Sequence, residues 1–250
     1  EASIPDIMFW PEGDNNNGKA TALFLDGYKY HVSPTKDTSA IPGDIRKRQA
    51  LIDANNFNVW TLTWYDLDEY KDEIESKNLF SNVNIVMLNK IMQDFGVTSF
   101  QASNLNINAI SSFFNYLTNP NPDVWEKIAL GIVALQVTSN KVRRDPKDIE
   151  DAIQMILEEE NVHGLLELSP SNDTENPFAE VIQKQFVTLL SSAPITALTN
   201  KDPSQIQLYL RIESTKTSRE NLAYKQDWRI FWQTVNLVQY IKGLILVTKE

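Results

Sequence analysis

The amino-acid sequence predicts an α/β protein in which helices flank a mixed β-sheet. β-Branched and aromatic runs of strand length occur near both ends of the chain, and segments with apolar residues at helical spacing fill its middle. A length of 250 residues is enough for one large domain or two small ones. We therefore expect a core in residues 1–70, a helical region in residues 71–160 and a C-terminal α/β portion in residues 161–250.

Three strands are predicted in the first of these regions. The runs Ile4–Trp10 and Ala20–Tyr30 form a hairpin in this interpretation, because the polar segment between them is rich in asparagine and glycine. A helix beginning near Asp44 follows, and Phe57–Trp64 is the third strand. We expect the three strands to be neighbours in one mixed sheet, with the Asp44 helix packed on it.

The rest of the chain is predicted to be helical first and mixed later. The expected helices are Val83–Phe95, Leu105–Leu117, a helix with an Asp123/Glu126 capping box, Pro146–Glu159 and Gln226–Ile241. The expected strands are Gly164–Leu168, Val187–Leu190, Gln205–Ile212 and Leu244–Thr248. No internal repeat is visible in the sequence.

The composition excludes several classes of chemistry. The chain has no cysteine, which rules out disulfides, thiolate nucleophiles, zinc fingers and iron–sulfur centres. Its two histidines, His31 and His163, are too few for a multi-histidine metal site. No P-loop, dinucleotide fingerprint or Gly-x-Ser-x-Gly elbow is present. The open alternatives are metal-assisted hydrolysis by carboxylates with one histidine, or no catalysis.

Charge and hydropathy restrict the partners and the location. A formal charge of −10 disfavours a protein whose whole surface binds polyphosphate, although a local basic stripe is compatible with it. No apolar run has the length of a membrane helix, and the start of the chain lacks the pattern of a signal peptide. We expect a cytoplasmic protein without a membrane partner. Because the sequence opens with Glu1 rather than methionine, we expect it to be part of something larger.

The residues that can carry chemistry gather at the first two strands. Asp6 lies in the first strand and Asp26 ends the second, and antiparallel neighbours about 5 Å apart can bring two carboxylates onto one divalent ion. Gly27 permits a sharp exit from the strand. His31, five positions after Asp26, can then hold or deprotonate a water beside the metal. An Asp–Gly pair is also a common turn signal, so spacing alone leaves a structural interpretation open.

The same residues resemble a known family. Pro5-Asp6, followed by a strand ending in Phe24–Gly27 and then by His31, is similar to the very-short-patch repair endonuclease branch of the PD-(D/E)XK nuclease superfamily. The positions that fit the following helix and strand are Asp44, Lys47, Leu51 and Phe57–Trp64. Such domains also occur near the C-termini of bacterial DEAD/DEAH-box helicases linked to phage defence. The tail residues that resemble those helicases are Asp227, Trp228, Arg229, Phe231, Asn236, Leu237 and Gln239.

This resemblance, which covers about the first quarter of the chain, implies a fold and an activity. The fold is a PD-(D/E)XK-like core with a helical insertion and a C-terminal α/β portion. The activity is hydrolysis of DNA phosphodiester bonds, with magnesium bound by Asp6 and Asp26 and with His31 as general base or water-positioner. The implied partners are DNA and the helicase portion of a parent protein. The chain departs from the pattern at Phe24, where relatives with one more carboxylate have glutamate.

Two further sets of residues are candidates for nucleic-acid contacts. The basic residues near the predicted site are Lys29, Arg46, Lys47 and Arg48. They can contact phosphates, and a solvated helix face is the alternative. Trp60 and Trp64 can stack on bases, although tryptophans four apart in a strand share a face and often pack a core.

The sequence leaves two functions in competition. The combination of Asp6, Asp26 and His31 favours a metal-dependent endonuclease-like domain. The acidic net charge and Phe24 favour a catalytically inactive nuclease-fold module that binds nucleic acid or docks a protein.

Overall fold

The computed structural model describes residues 4–11, 19–74, 78–80, 84–98, 101–103, 108–138, 141–159, 162 and 166–249. These residues form an α/β structure with two mixed sheets flanked by helices, which confirms the predicted fold class. The strands are β1 (Ile7–Phe9), β2 (Ala20–Asp26), β3 (Phe57–Thr63), β4 (Arg143–Arg144), β5 (Pro170–Ser171), β6 (Phe178–Gln183), β7 (Val187–Ala193), β8 (Gln207–Glu213) and β9 (Leu244–Lys249). The helices are α1 (Tyr28–His31), α2 (Ile41–Asp53), α3 (Trp64–Lys71), α4 (Ile85–Asp94), α5 (Ala109–Thr118), α6 (Pro122–Thr138), α7 (Pro146–Glu158), α8 (Ile195–Asn200), α9 (Lys216–Glu220) and α10 (Tyr224–Val238).

The first sheet has the order β1-β2-β3 within the described residues, as the sequence predicted. Strand β1 is antiparallel to β2, with Ile7 opposite Leu23, and β2 is parallel to β3, with Asp26 opposite Thr63. Parallel neighbours need a crossover connection, which α1 and α2 supply. Helix α2 packs on β3, so the predicted position of the Asp44 helix is confirmed. Strand β2 ends at Asp26, whereas the sequence analysis predicted that it continues to Tyr30.

The second sheet repeats this topology, although the sequence shows no repeat. In the described residues its order is β5-β4-β6-β7-β8-β9. Strand β7 is antiparallel to β8, and β8 is parallel to β9 through a crossover that contains α9 and α10. In each sheet an antiparallel pair of strands is therefore followed by a helical connection and by a strand that is parallel to the second member of the pair.

Side-chain amides from two helical segments bind backbone groups of β3 and β9, the strand at one edge of each sheet within the described residues. Asn236 of α10 accepts from the backbone N–H of Thr61 at 2.9 Å and donates to its carbonyl at 2.8 Å. Gln239 makes the same pair of bonds to Val59. In the opposite direction, Gln49 of α2 donates to a carbonyl of β9 at 3.0 Å and accepts from an N–H of β9 at 2.8 Å. These amides satisfy backbone groups that another strand would otherwise pair.

A continuous hydrophobic core crosses the expected region boundaries. Buried side chains of all three regions, such as Trp60, Ile132 and Trp228, belong to one cluster. Trp60 is therefore a core residue, whereas Trp64 begins α3 and is 65% exposed. This helix was not predicted.

Local details differ from the sequence predictions elsewhere. The side chain of Asn121, not Asp123, caps α6, accepting from the N–H of Asp123 at 3.0 Å. The predicted strand Gly164–Leu168 lies partly outside the described residues, and its described part is not a strand. Strand β6 was missed because its six residues contain both glutamate and glutamine and lack a continuous apolar run.

Candidate metal centre at the end of strand β2

Asp26 is the buried centre of the candidate site. It is 1% exposed at the end of β2, and Arg48 of α2 donates to its Oδ1 atom at 2.6 Å. Burial raises the pKa of this carboxyl group, against the opposing effect of Arg48. Its Oδ2 atom is also buried and has no hydrogen-bond partner among the described residues. A buried carboxylate oxygen without a partner is costly, which makes this atom a position where a cation would be stabilised.

His31 faces Asp26 from helix α1 and is oriented by Asp44. Its Nδ1 atom lies 2.7 Å from Oδ2 of Asp44, and its Nε2 atom lies 3.7 Å from Oδ1 of Asp26. The hydrogen bond that His31 donates to Asp44 raises the pKa of the histidine, while burial acts in the opposite direction. Because the carboxylate of Asp44 accepts a hydrogen bond from Nδ1–H, the lone pair of the neutral ring is on Nε2, on the side of Asp26.

Arg48 fixes the charge balance of the centre. Its guanidinium carbon lies 4.4 Å from the ring centroids of both Phe24 and Trp232, so the group is held between two aromatic faces. Its Nη1 atom is 3.7 Å from Oδ1 of Asp44. Phe24 thus supports the guanidinium of Arg48 from one side. With His31 neutral, the two carboxylates and the guanidinium leave one net negative charge.

Three side chains converge in a geometry that fits a divalent ion. Asp26, His31 and Asp44 each offer one ligand atom, and these atoms lie within 4.8 Å of one another. Carboxylate oxygens are typical ligands of magnesium, calcium and manganese, whereas an imidazole nitrogen is typical of zinc, copper and iron sites. The unpaired Oδ2 atom of Asp26 is an independent sign that these residues fit such an ion.

Asp6, the other predicted metal ligand, is not a member of this group among the described residues. It is exposed, and its Oδ2 atom accepts a hydrogen bond from the backbone N–H of Leu25 at 2.8 Å. This bond extends the pairing of β1 and β2 to the residue that precedes Ile7, the first residue of β1. Its role as a metal ligand stays a prediction. Asp44, which the sequence analysis matched only to the helix pattern, is the carboxylate that contacts His31.

The predicted nucleic-acid contacts separate into exposed and buried residues. Lys29 and Arg46 are exposed and Lys47 is partly exposed. Arg48 is 1% exposed and paired with Asp26, so the structure gives it an internal role instead of a phosphate contact.

Two exposed aromatic rings adjoin the site. Tyr30 is 77% exposed and Trp64 is 65% exposed. A Cβ atom at Gly27 would lie 3.3 Å from the ring of Tyr30 and 3.4 Å from that of Trp64, so both rings border the turn between Asp26 and α1.

The comparisons with known proteins give no relative: no protein-family model, no curated protein and no solved structure matches the chain. None of the helices in the described part of the chain is long and apolar enough to cross a membrane.

Proposed function

We propose that this chain is a metal-dependent endonuclease-like hydrolase of DNA phosphodiester bonds. The observation that carries the proposal is the arrangement of His31, whose Nδ1 atom is bonded to Asp44 at 2.7 Å while Nε2 faces the carboxylate of Asp26. An oriented histidine beside a buried carboxylate with an unpaired oxygen is typical of sites that activate water near a metal.

Each residue has a distinct role in this proposal. Asp26 and Asp44 would hold a magnesium ion, which would supply Lewis-acid stabilisation of charge on the phosphate. His31 accepts the proton of the attacking water at Nε2. Asp44 stabilises the resulting imidazolium through Nδ1, which is consistent with the raised pKa of His31. Arg48 holds Asp26 through Oδ1 and leaves Oδ2 available.

Support for a nucleic-acid substrate comes from the rim of the site. The exposed rings of Tyr30 and Trp64 offer faces on which bases can stack, and Lys29 and Arg46 offer charge for phosphates. DNA as the substrate and a helicase portion of a parent protein as the partner rest on the sequence resemblance.

The second candidate function is an inactive nuclease-fold module for nucleic-acid binding or protein docking. One observation favours it: the guanidinium of Arg48 lies 2.6 Å from Asp26 and already supplies positive charge to the carboxylates. In that case no divalent ion is needed to stabilise the centre.

Nicking of supercoiled plasmid in magnesium, manganese, calcium or chelator separates the two functions. The variants are Asp26→Asn, Asp44→Asn and His31→Ala, with Asp68→Asn, an exposed aspartate of α3, as the matched control. The endonuclease proposal predicts metal-dependent nicking by the wild type and the control, and its loss in the other three. Absence of nicking and of any thermal shift with divalent ions would favour the inactive module.

A further inference from the structure

We infer that Arg219 is a positioning residue for His31, acting from the C-terminal α/β portion on the segment that follows the histidine. The inference rests on the proposed function, because it assigns Arg219 a role in that same site. Arg219 contacts no atom of the candidate metal centre in the described structure; its effect is on the backbone that carries His31.

The guanidinium of Arg219 is used almost completely in binding backbone carbonyls. The residue is 2% exposed in α9, and its Nε atom donates to Ser214 at 2.9 Å. Its Nη1 atom donates to the carbonyls of Val32 at 3.0 Å and Ser33 at 2.6 Å. Its Nη2 atom donates to the carbonyl of Asp37 at 2.9 Å. Three of these four bonds therefore hold the segment immediately after His31.

That segment needs an external support. Helix α1 has four residues and no side-chain cap at its N-terminus, and a single turn of helix is not stable by itself. The carbonyl groups at its C-terminal end lack partners within the helix. Arg219 donates a hydrogen bond to one of them, the carbonyl of Val32. Ser33 has a φ of 48°, a left-handed conformation that a non-glycine residue adopts at a cost. Bonds from a buried arginine offset that cost.

The position of His31 depends on this support. Its bond to Asp44 joins α1 to α2, and a shift of about 1 Å in a catalytic group can reduce a rate about 10²-fold. The exposed ion pair of Lys216 with Asp37 joins the same two segments, but exposed pairs contribute little. We therefore expect Arg219 to dominate the connection.

Arg211 of β8 offers a matched control. It is 1% exposed, and its Nη1 atom donates to the carbonyls of Ile156 at 2.8 Å and Glu159 at 2.7 Å at the C-terminal end of α7. It is thus a second buried arginine that binds backbone carbonyls, but it supports an element that carries none of the candidate site residues.

The test compares Arg219→Met and Arg219→Lys with Arg211→Met in the full chain. Histidine side-chain NMR at one fixed pH is well suited, because the chain contains only His31 and His163. We expect Arg219→Met to lose the downfield Nδ1–H signal of His31 and to lower kcat for magnesium-dependent nicking about 10–100-fold with little change in KM. Arg219→Lys should restore part of the His31 signal and part of kcat. Arg211→Met should keep the signal and kcat of the wild type, although it should lose about as much stability as Arg219→Met.

Other results would contradict either the positioning role of Arg219 or the endonuclease proposal. If Arg219→Met keeps the His31 signal and kcat, or if Arg211→Met loses them equally, Arg219 has only a structural role. If Arg219→Met does not fold, Arg219→Lys decides, because an unchanged His31 signal and kcat in that variant with reduced stability would contradict positioning. If the wild type cuts no plasmid, the endonuclease proposal is refuted. The His31 NMR signal in the Arg219 and Arg211 variants is then the test of the positioning role.

Discussion

Replacing Arg48 by methionine tests the charge balance of the candidate metal centre. Methionine keeps an unbranched chain between the rings of Phe24 and Trp232 but removes the guanidinium. Asp26, 1% exposed, then loses the donor at 2.6 Å and is left as a buried carboxylate without its partner. In chelator we therefore expect a clear loss of stability.

The magnitude follows from the burial of both groups. Removing one partner of a buried ion pair costs about 3–5 kcal/mol, which for a chain of this size corresponds to a fall in Tm of roughly 6–20 °C. A divalent ion that binds only the folded state at 100 times its Kd restores about 2.7 kcal/mol. Manganese or magnesium should therefore restore much of the stability that Arg48→Met loses, and the increase in the free energy of unfolding should be larger than in the wild type.

Urea unfolding followed by circular dichroism, in chelator and in manganese, measures both effects. The double variant Arg48→Met/Asp26→Asn is the control, because it removes the buried charge together with its partner. We expect it to be more stable in chelator than Arg48→Met and to respond less to manganese. A loss below about 1 kcal/mol in Arg48→Met would refute the importance of the buried pair. A full loss that no divalent ion reduces would refute the metal centre.

Three more predictions concern catalysis, pH and packing. Asp26→Asn and Asp44→Asn should each abolish magnesium-dependent nicking of plasmid, and His31→Ala should lower its rate about 10²–10⁴-fold, with no additivity in double variants; nicking at the wild-type rate in any of them removes that residue from the site. In chelator, the free energy of unfolding of the wild type should exceed that of His31→Gln by its full amount below about pH 6.5, and the difference should be lost as the pH rises through the raised pKa of folded His31. A difference that grows with pH would contradict the hydrogen bond to Asp44. Asn236→Leu should lower the free energy of unfolding by about 1–3 kcal/mol, measured in urea, since it leaves the buried N–H and carbonyl of Thr61 unpaired; an unchanged value would mean that water replaces the amide.

The sequence was sufficient for the first sheet because its signals are local. The apolar run of β2 and the aromatic run of β3 identify these strands, and the spacing of Asp26 and His31 identifies two members of the centre. The missed helix α3 also had a local signal. Thr63 and Asp66 form a capping box at its first turn, with the bonds made in both directions.

The remaining parts of the centre depend on contacts that no local pattern contains. Asp44 reaches His31 only because the chain turns between α1 and α2. Arg48 lies in a basic run whose spacing does not reveal which side chain faces inward. The ring of Trp232 that covers it belongs to α10, far away in the sequence. An arginine in a charged helix is therefore easily mistaken for a phosphate contact when its burial comes from another part of the chain.

The side-chain amides that bind the edge strands β3 and β9 make the two sheets depend on each other. Strand β3 relies on Asn236 and Gln239 from α10, and β9 relies on Gln49 from α2, so each sheet is completed by a helix that belongs to the other. A fragment that contains one sheet alone would expose a strand with unpaired backbone groups, which is a template for aggregation. Two copies that exchange these helices would satisfy the same bonds between chains, so a longer or strained connection between the sheets would favour a swapped dimer.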